Sequence, residues 1–328
     1  MHKPAASRRR RFLGLLAAAA AAPSLLAQTK ERARIGYIGS DFRSTSIGRK
    51  LIIPALRDMG LIEDQNLTVE WRFAEGNVSR LPSLAAELVG LGVRVIVAPT
   101  NLEAEIVRHY TKSIPIMMLY AVEPVRIGFA KSLSQPGSNV TGVMYADPSF
   151  IGKSLQILQE VKPDLTRAGA MFIKSNRGLD YFSDPAIEGR KLGISYAHFP
   201  ISDRDSIATA LASIKQQGVQ ALRITTGGPI TPALDEILAF TLANRILTMF
   251  STPIGVERGG LMSYSPYFPE LFARAARMLA RLIEGEPPAK MAFEYPTRYE
   301  FVVNQRAARQ LQVALPGTIL LRADRVIE

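Results

Sequence analysis

The sequence predicts an α/β protein of two doubly wound lobes, each a parallel sheet covered by helices on both faces. Three observations predict it. From Arg34 onward, short apolar runs of strand length alternate with stretches of helical periodicity, as in a parallel sheet buried between helices. The runs beginning at 34, 93 and 114 have counterparts beginning at 168, 219 and 246, at offsets of 134, 126 and 132 residues. The two halves therefore share a topology, although their side chains do not repeat. Finally, 301 residues remain once residues 1–27 are set aside, more than one core usually holds.

Residues 1–27 read as a secretory signal peptide. Lys3 and Arg8 to Arg11 form a basic block without an acid, Phe12 to Ala22 is uninterrupted Phe, Leu, Gly and Ala, and Pro23 and Ser24 break the run before Ala27. Cleavage is expected after Ala27, although Leu25 at the −3 position is larger than ideal. The apolar run spans 11 residues, against the roughly 20 a membrane span needs, so export is favoured over an anchor. Arg9-Arg10-Arg11-Phe12-Leu13 is similar to a twin-arginine export signal. The mature chain is expected in the periplasm, soluble and not membrane-spanning.

The first half then reads in order. Arg34 to Gly39 is a strand, and Ile47 to Met59 a helix with Leu51, Ile52, Ala55, Leu56 and Met59 on one face and Gly60 as its stop. Leu67 to Phe73 alternates, with Leu67, Val69, Trp71 and Phe73 on one side; Trp71 is thereby placed in the core. Pro82 opens a helix to Leu91 at a tolerated first-turn position. Val93 to Ala98 is a buried strand, Leu102 to Tyr110 a helix and Ile114 to Ala121 another buried strand.

In the second half, Ala168 to Ile173 and Ile194 to Ile201 are strands. A helix capped by Asp203 runs to Gln217. Val219 to Thr225 is a strand, Pro232 to Asn244 a helix and Ile246 to Phe250 a strand. Gly259 to Pro266 is a strand or crossover, and Pro269 to Glu284 a helix turning Leu271, Ala275, Met278, Leu279 and Leu282 inward. Glu300 to Val303 is a strand, and Gln305 to Leu311 a short helix.

Composition narrows the chemistry. Hydrophobic residues make up 47% and charged residues 21%, and five of the eleven net positive charges lie in the signal. No zinc-finger spacing, basic arm or RNP-like aromatic string supports nucleic-acid binding. With no cysteine, disulfides, thiol catalysis, thiolate metal sites and a lipid-anchored form are excluded. His2, His109 and His198 are scattered, so no metal is expected. Gly36-Tyr37-Ile38-Gly39-Ser40-Asp41 lacks dinucleotide spacing, and there is no P-loop or G-x-S-x-G elbow. No cofactor is expected and no catalytic residue is assigned; the protein is expected not to be an enzyme.

In parallel α/β sheets ligands bind beyond the carboxyl ends of the strands. Those ends supply the candidates: Ser40, Asp41 and Phe42; Thr100 and Asn101; Tyr120 and Glu123; Lys174, Ser175 and Asn176; Thr226 and Gly227; and Thr252. Hydroxyls, amides and glycine there either donate to a small polar ligand or cap the following helices. Phe42 and Tyr120 either stack on a planar ligand or pack. Asp41 or Glu123 meets an ammonium group or is a solvated loop acid. Lys174 and Arg126 meet a carboxylate, with the same alternative.

Several segments together carry a resemblance. They are Ile35-Gly36-Tyr37, Glu70 to Gly76, Arg80 to Leu88, Glu123-Pro124-Val125, Ser134 to Gly142, Gly259 to Tyr264 and the tail Leu320 to Glu328. From Arg34 to Glu328 the chain resembles the substrate-binding components of ABC importers with a type I periplasmic binding protein fold, in the branch with tryptophan- and tyrosine-binding members. The resemblance implies two lobes joined by a three-crossover hinge, closing on a small polar ligand, an amino acid or related organic acid, for delivery to a membrane permease. The crossings are expected at Val143 to Pro148, Leu261 to Pro266 and Glu286 to Glu294, with Tyr145 and Tyr264 as hinge residues. Lobe 1 is expected to be 34–143 plus 263–287, and lobe 2 to be 144–262 plus 288–328. A monomer is the default. The alternative is a ligand-sensing module that signals to a membrane sensor without transport. Arg126, where many members carry a small residue, and Lys174, in place of an Asn-Pro turn, are both basic and suit a ligand with an extra carboxylate.

Overall fold

A computed structural model describes residues 32–44, 46–174 and 185–328. Residues 1–27, Ser175 and Asn176 lie outside the described residues. The first sheet collects β1 (Ala33–Gly39), β2 (Leu67–Phe73), β3 (Ile96–Val97), β4 (Ile116–Ala121) and β5 (Val140–Met144) in the order β2-β1-β3-β4-β5. All its pairings are parallel. Helices α1 (Ile47–Asp58), α2 (Leu81–Gly90) and α3 (Asn101–Tyr110) connect the strands. β3 pairs over only two residues, although Val93 and Val95 before it are also buried. β5 is the fifth strand of this sheet, and its last two residues, Val143 and Met144, overlap the expected first crossing.

The chain then builds the second sheet. It passes through α4 (Phe150–Val161), β6 (Arg167–Ile173), α5 (Pro185–Lys191), β7 (Ser195–Ile201), α6 (Asp205–Gln216), β8 (Ala221–Ile224), α7 (Leu234–Ala243), β9 (Leu247–Phe250), α8 (Pro253–Glu257) and β10 (Met262–Pro266). Helix α9 (Phe268–Ile283) returns to the first lobe. β11 (Tyr299–Asn304), α10 (Gln305–Leu311), α11 (Gly317–Arg322) and β12 (Arg325–Ile327) complete the second. The sheet order is β12-β11-β10-β9-β8-β6-β7. β10 and β11 pair antiparallel, so this sheet is mixed rather than wholly parallel.

Two expected lobe boundaries move. β10, expected in lobe 1, is a ladder strand of the second sheet, paired with β9 and β11; of the segment 263–287, the helix α9 is what lies against α1 and the first sheet. Its apolar stripe, Phe268, Leu271, Phe272, Ala275, Leu279 and Leu282, is buried there. Residues 288–295, expected in lobe 2, stay with lobe 1: the Phe293 amide donates to the Leu133 carbonyl at 2.8 Å, Glu294 bridges to Val143, and Phe293 and Tyr295 join the first lobe's core. The crossings therefore fall at 145–149, at Tyr267 and at 296–298.

Each lobe has its own core on one side of its sheet. A larger cluster runs through both, with Tyr145, Phe150, Phe268 and Phe272 at the junction. That continuity holds the carboxyl ends of the two sheets facing one another.

Candidate functional site

A cavity of about 410 Å³ lies between those facing ends, the size of a small-molecule site. β1 brings Ser40 and Asp41, β3 brings Thr100 and Asn101, and β4 brings Tyr120. Across from them, β6 brings Phe172, β8 Thr226 and Gly227, and β9 Ser251 and Thr252. These are strand-end positions, and they meet because every contributing strand points its carboxyl end at the cleft.

The polar groups of the first wall are already bonded to protein. Glu103, buried on α3, accepts the Ser40 amide at 2.9 Å and the Thr100 amide at 3.1 Å, and takes the Thr100 hydroxyl as well. Thr100 in turn accepts the Leu102 amide, closing a capping box. Asn101 locks to the end of β4: its side-chain amide donates to the Val122 carbonyl at 2.8 Å and its side-chain oxygen accepts the Val122 amide at 3.1 Å. Asp41 is held near Ser46, which hydrogen-bonds its carboxyl. Burial pushes the Asp41 carboxyl up to about 6; the Ser46 hydrogen bond opposes the rise and the nearby Glu103 adds to it.

Around this acid stands an aromatic frame. Tyr120 meets Tyr145 edge-on at 6.5 Å and Phe268 at 5.9 Å, and Tyr37, fully buried, packs on Trp71 and Phe73. The Tyr120 hydroxyl is pushed well up in pKa by burial and then by Asp41, so it stays a neutral donor.

The strand-end groups of the second wall are bonded to protein as well. The Thr226 and Thr252 hydroxyls bond one another at 2.9 Å, and the Thr226 amide donates to Ser251 Oγ at 3.1 Å. Gly227, at φ +133°, presents its amide to the Thr231 hydroxyl at 2.8 Å in a turn that a side chain would strain. Deeper in the wall lie Tyr196, His198 and Arg223. None of the three was among the sequence candidates, because all sit inside strand runs rather than at strand ends. An arginine within the apolar stretch Val219 to Thr225 was the one available signal, since a buried charge demands a partner or a purpose.

Three candidates fall outside the cavity's lining. Phe42 turns away after Asp41 and packs on Gly76 at the rim, in a second recess shared with Arg204 and Pro229. Glu123 sits at φ +44° and spends its carboxylate on Arg126, three residues on. Lys174 is exposed, its amide fixed to the Ile201 carbonyl at 2.8 Å. Neither Arg126 nor Lys174 lines the cavity.

Tyr145 lines the cavity and ties its two sides: its amide donates to the Ala121 carbonyl and its hydroxyl to the Ser251 carbonyl, both at 2.8 Å. Tyr264 stands behind the cavity in a three-ring cluster with Phe150 at 5.4 Å and Tyr299 at 5.3 Å. The Tyr299 hydroxyl in turn donates to Asp147 at 2.6 Å, joining the first and third crossings. Among the described residues no cluster of His, Asp and Glu could hold a metal ion, and no helix is long and apolar enough to cross a membrane.

Comparison with known proteins agrees with this fold. The sequence profile of the family described as ABC transporter substrate binding protein matches residues 44–327. A tyrosine-binding protein of Clostridioides difficile is 23% identical over 269 residues, 81% of this chain and 76% of that protein. Two crystal structures share the fold. One is a conserved domain protein of Vibrio cholerae (TM-score 0.82, 21% identity, 90% of this chain and 100% of that one). The other is an ABC domain from Streptococcus pneumoniae in complex with L-Trp (TM-score 0.80, 21% identity, the same coverage).

Proposed function

The chain belongs to the ABC transporter substrate-binding protein family, and from that premise we propose that it captures an amino acid between its lobes and delivers it to an ABC importer. The observation that carries this reading is Asp41: a carboxylate at the rim of an aromatic cavity, on a wall whose other polar groups are already bonded. A ligand ammonium group compensates that acid, while Tyr120, Phe172 and Phe268 cover an apolar or planar body. The tyrosine- and tryptophan-binding relatives favour an aromatic amino acid.

Tyr145 lies at the first crossing and Tyr264 on β10, three residues before the second; both serve in the hinge, and lobe closure traps the ligand for presentation to the permease. Residues 1–27 direct the chain to the periplasm. The protein binds and releases its ligand unchanged, as a monomer.

Thermal unfolding against a panel of L-amino acids, dicarboxylates and sugars tests the reading. A ligand at 100 times its Kd adds about 2.7 kcal/mol, a shift of several degrees. A shift with L-tryptophan or L-tyrosine is expected, with no product formed. A shift with sugars alone, or turnover of the ligand, contradicts it.

A further inference from the structure

On the second-lobe wall three polar side chains converge. The parallel register of β7, β6 and β8 places His198 and Arg223 on either side of Ala170, and Tyr196 opposite Ala168 one step earlier on the same face. The Tyr196 and His198 rings lie 5.6 Å apart. Arg223, 8% exposed as a residue, holds its guanidinium 5.4 Å over the Phe150 ring. Arginine donates and never accepts. The Tyr196 phenol is raised in pKa by burial, and Arg223 beside it only partly offsets that rise, so the phenol keeps its proton for donation.

His198 supplies the decisive detail. Its Nε2 is buried, and no described residue hydrogen-bonds it. Leaving a buried polar atom unmet costs about 1–3 kcal/mol, and such atoms in native proteins ask for an explanation. The charges also divide by lobe. Among the described residues the cavity's carboxylates, Asp41 and Glu103, belong to the first lobe, and none lines the second-lobe wall.

We infer that Tyr196, His198 and Arg223 form an anion-recognising subsite, and that the ligand is a carboxylic acid whose acidic group enters the second lobe. The inference rests on the reading of the cavity as the ligand cleft. It adds that the acid group is obligatory and that the second lobe reads it. Arginine's planar fork matches a carboxylate in a way that no neutral amide reproduces. A ligand with both charges then spans the cleft, ammonium at Asp41 and carboxylate at Arg223, so each lobe gains contacts only when the other is engaged.

The test is calorimetric titration of the purified chain with two matched pairs: L-tryptophan against L-tryptophanamide, and 3-phenylpropanoate against its amide. The wild type is expected to prefer each acid by at least about 30-fold. Tyr196→Phe should cut that preference about tenfold. Arg223→Lys should cut it as well, and if that variant fails to fold, Tyr196→Phe decides. Equal affinity for acid and amide, or a preference unmoved by these substitutions, overturns the subsite while the amino-acid reading stands. Binding of 3-phenylpropanoate but not its amide, with no response to tryptophan, keeps the subsite and removes the amino-acid reading. Silence from both acids removes both.

Discussion

The strand-end groups of both cleft walls are bonded within the protein, and the walls differ in the polar groups that lie deeper. On the first lobe the strand-end donors are already satisfied: Glu103 takes the Ser40 and Thr100 amides, and Asn101 exchanges two hydrogen bonds with Val122. On the second lobe His198 Nε2 is left unmet beside a buried guanidinium. The first wall is thus preorganised, with a single desolvated acid, Asp41, directed at the cavity. The second wall gains its missing interactions from what enters. The difference suggests an order of events: a ligand docks on the finished wall, and the unfinished one closes on it.

Substitutions sharpen that contrast, beginning with the largest effect. Asp41→Asn should weaken binding of an ammonium-bearing ligand at least about 30-fold by calorimetry, since it leaves a buried cation unpaired. The same change should stabilise the ligand-free protein in a pH-dependent way. The folded carboxyl is raised from the ordinary 3.8 to about 6, so its contribution to stability is fully present below about pH 4 and is lost as pH rises through 6. The wild type therefore lacks about 3 kcal/mol at pH 8 that it holds at pH 3.5. Unfolding midpoints of Asp41→Asn and wild type should converge in acid, separate as pH rises from about 4 to 6 and stay apart above that. Parallel curves would contradict the assignment.

Next comes Glu103→Ala. It strips the capping box and orphans the Ser40 and Thr100 amides, for an expected loss of about 3 kcal/mol in denaturant unfolding. If the first wall owed its order to something else, the loss would be under 1 kcal/mol. Tyr145→Phe removes one hydrogen bond between the lobes, to Ser251. It should shift ligand affinity about fivefold with overall stability changed by about 1 kcal/mol. Smallest of all, Arg126→Ala and Lys174→Ala should each change affinity by less than about twofold, because neither lines the cavity and exposed charges act weakly.

The same contrast explains what could be read in advance. The first wall was legible: strands end at Ser40, Thr100 and Tyr120, and ligand positions in parallel sheets follow from strand ends. Even Glu103 leaves a trace, since Thr100 and Glu103 stand at capping-box spacing. The second wall was only half legible. Thr226, Gly227 and Thr252 lie at strand ends, whereas Tyr196, His198 and Arg223 reach the cavity from inside β7 and β8, where the alternation of faces decides, and the face is not known until the sheet is assembled.

Candidates that the cavity lining leaves out share one physical cause. Glu123 and Lys174 are within two residues of a strand's end, yet a left-handed backbone turn at one and an outward side chain at the other direct them elsewhere. Sequence position identifies a loop as close to a site; the dihedrals of one residue determine where its side chain goes. In the same way, β10 reads equally as strand or crossing until its pairing with β9 and β11 is known.

The most direct test of the account is calorimetry of wild type and Asp41→Asn with L-tryptophan and L-tyrosine at pH 8. The account predicts one-to-one binding to wild type for at least one of the two, with a negative heat-capacity change from buried apolar surface, and a loss of at least about 30-fold in the variant. No binding by either amino acid, or equal affinity in the two proteins, would contradict it.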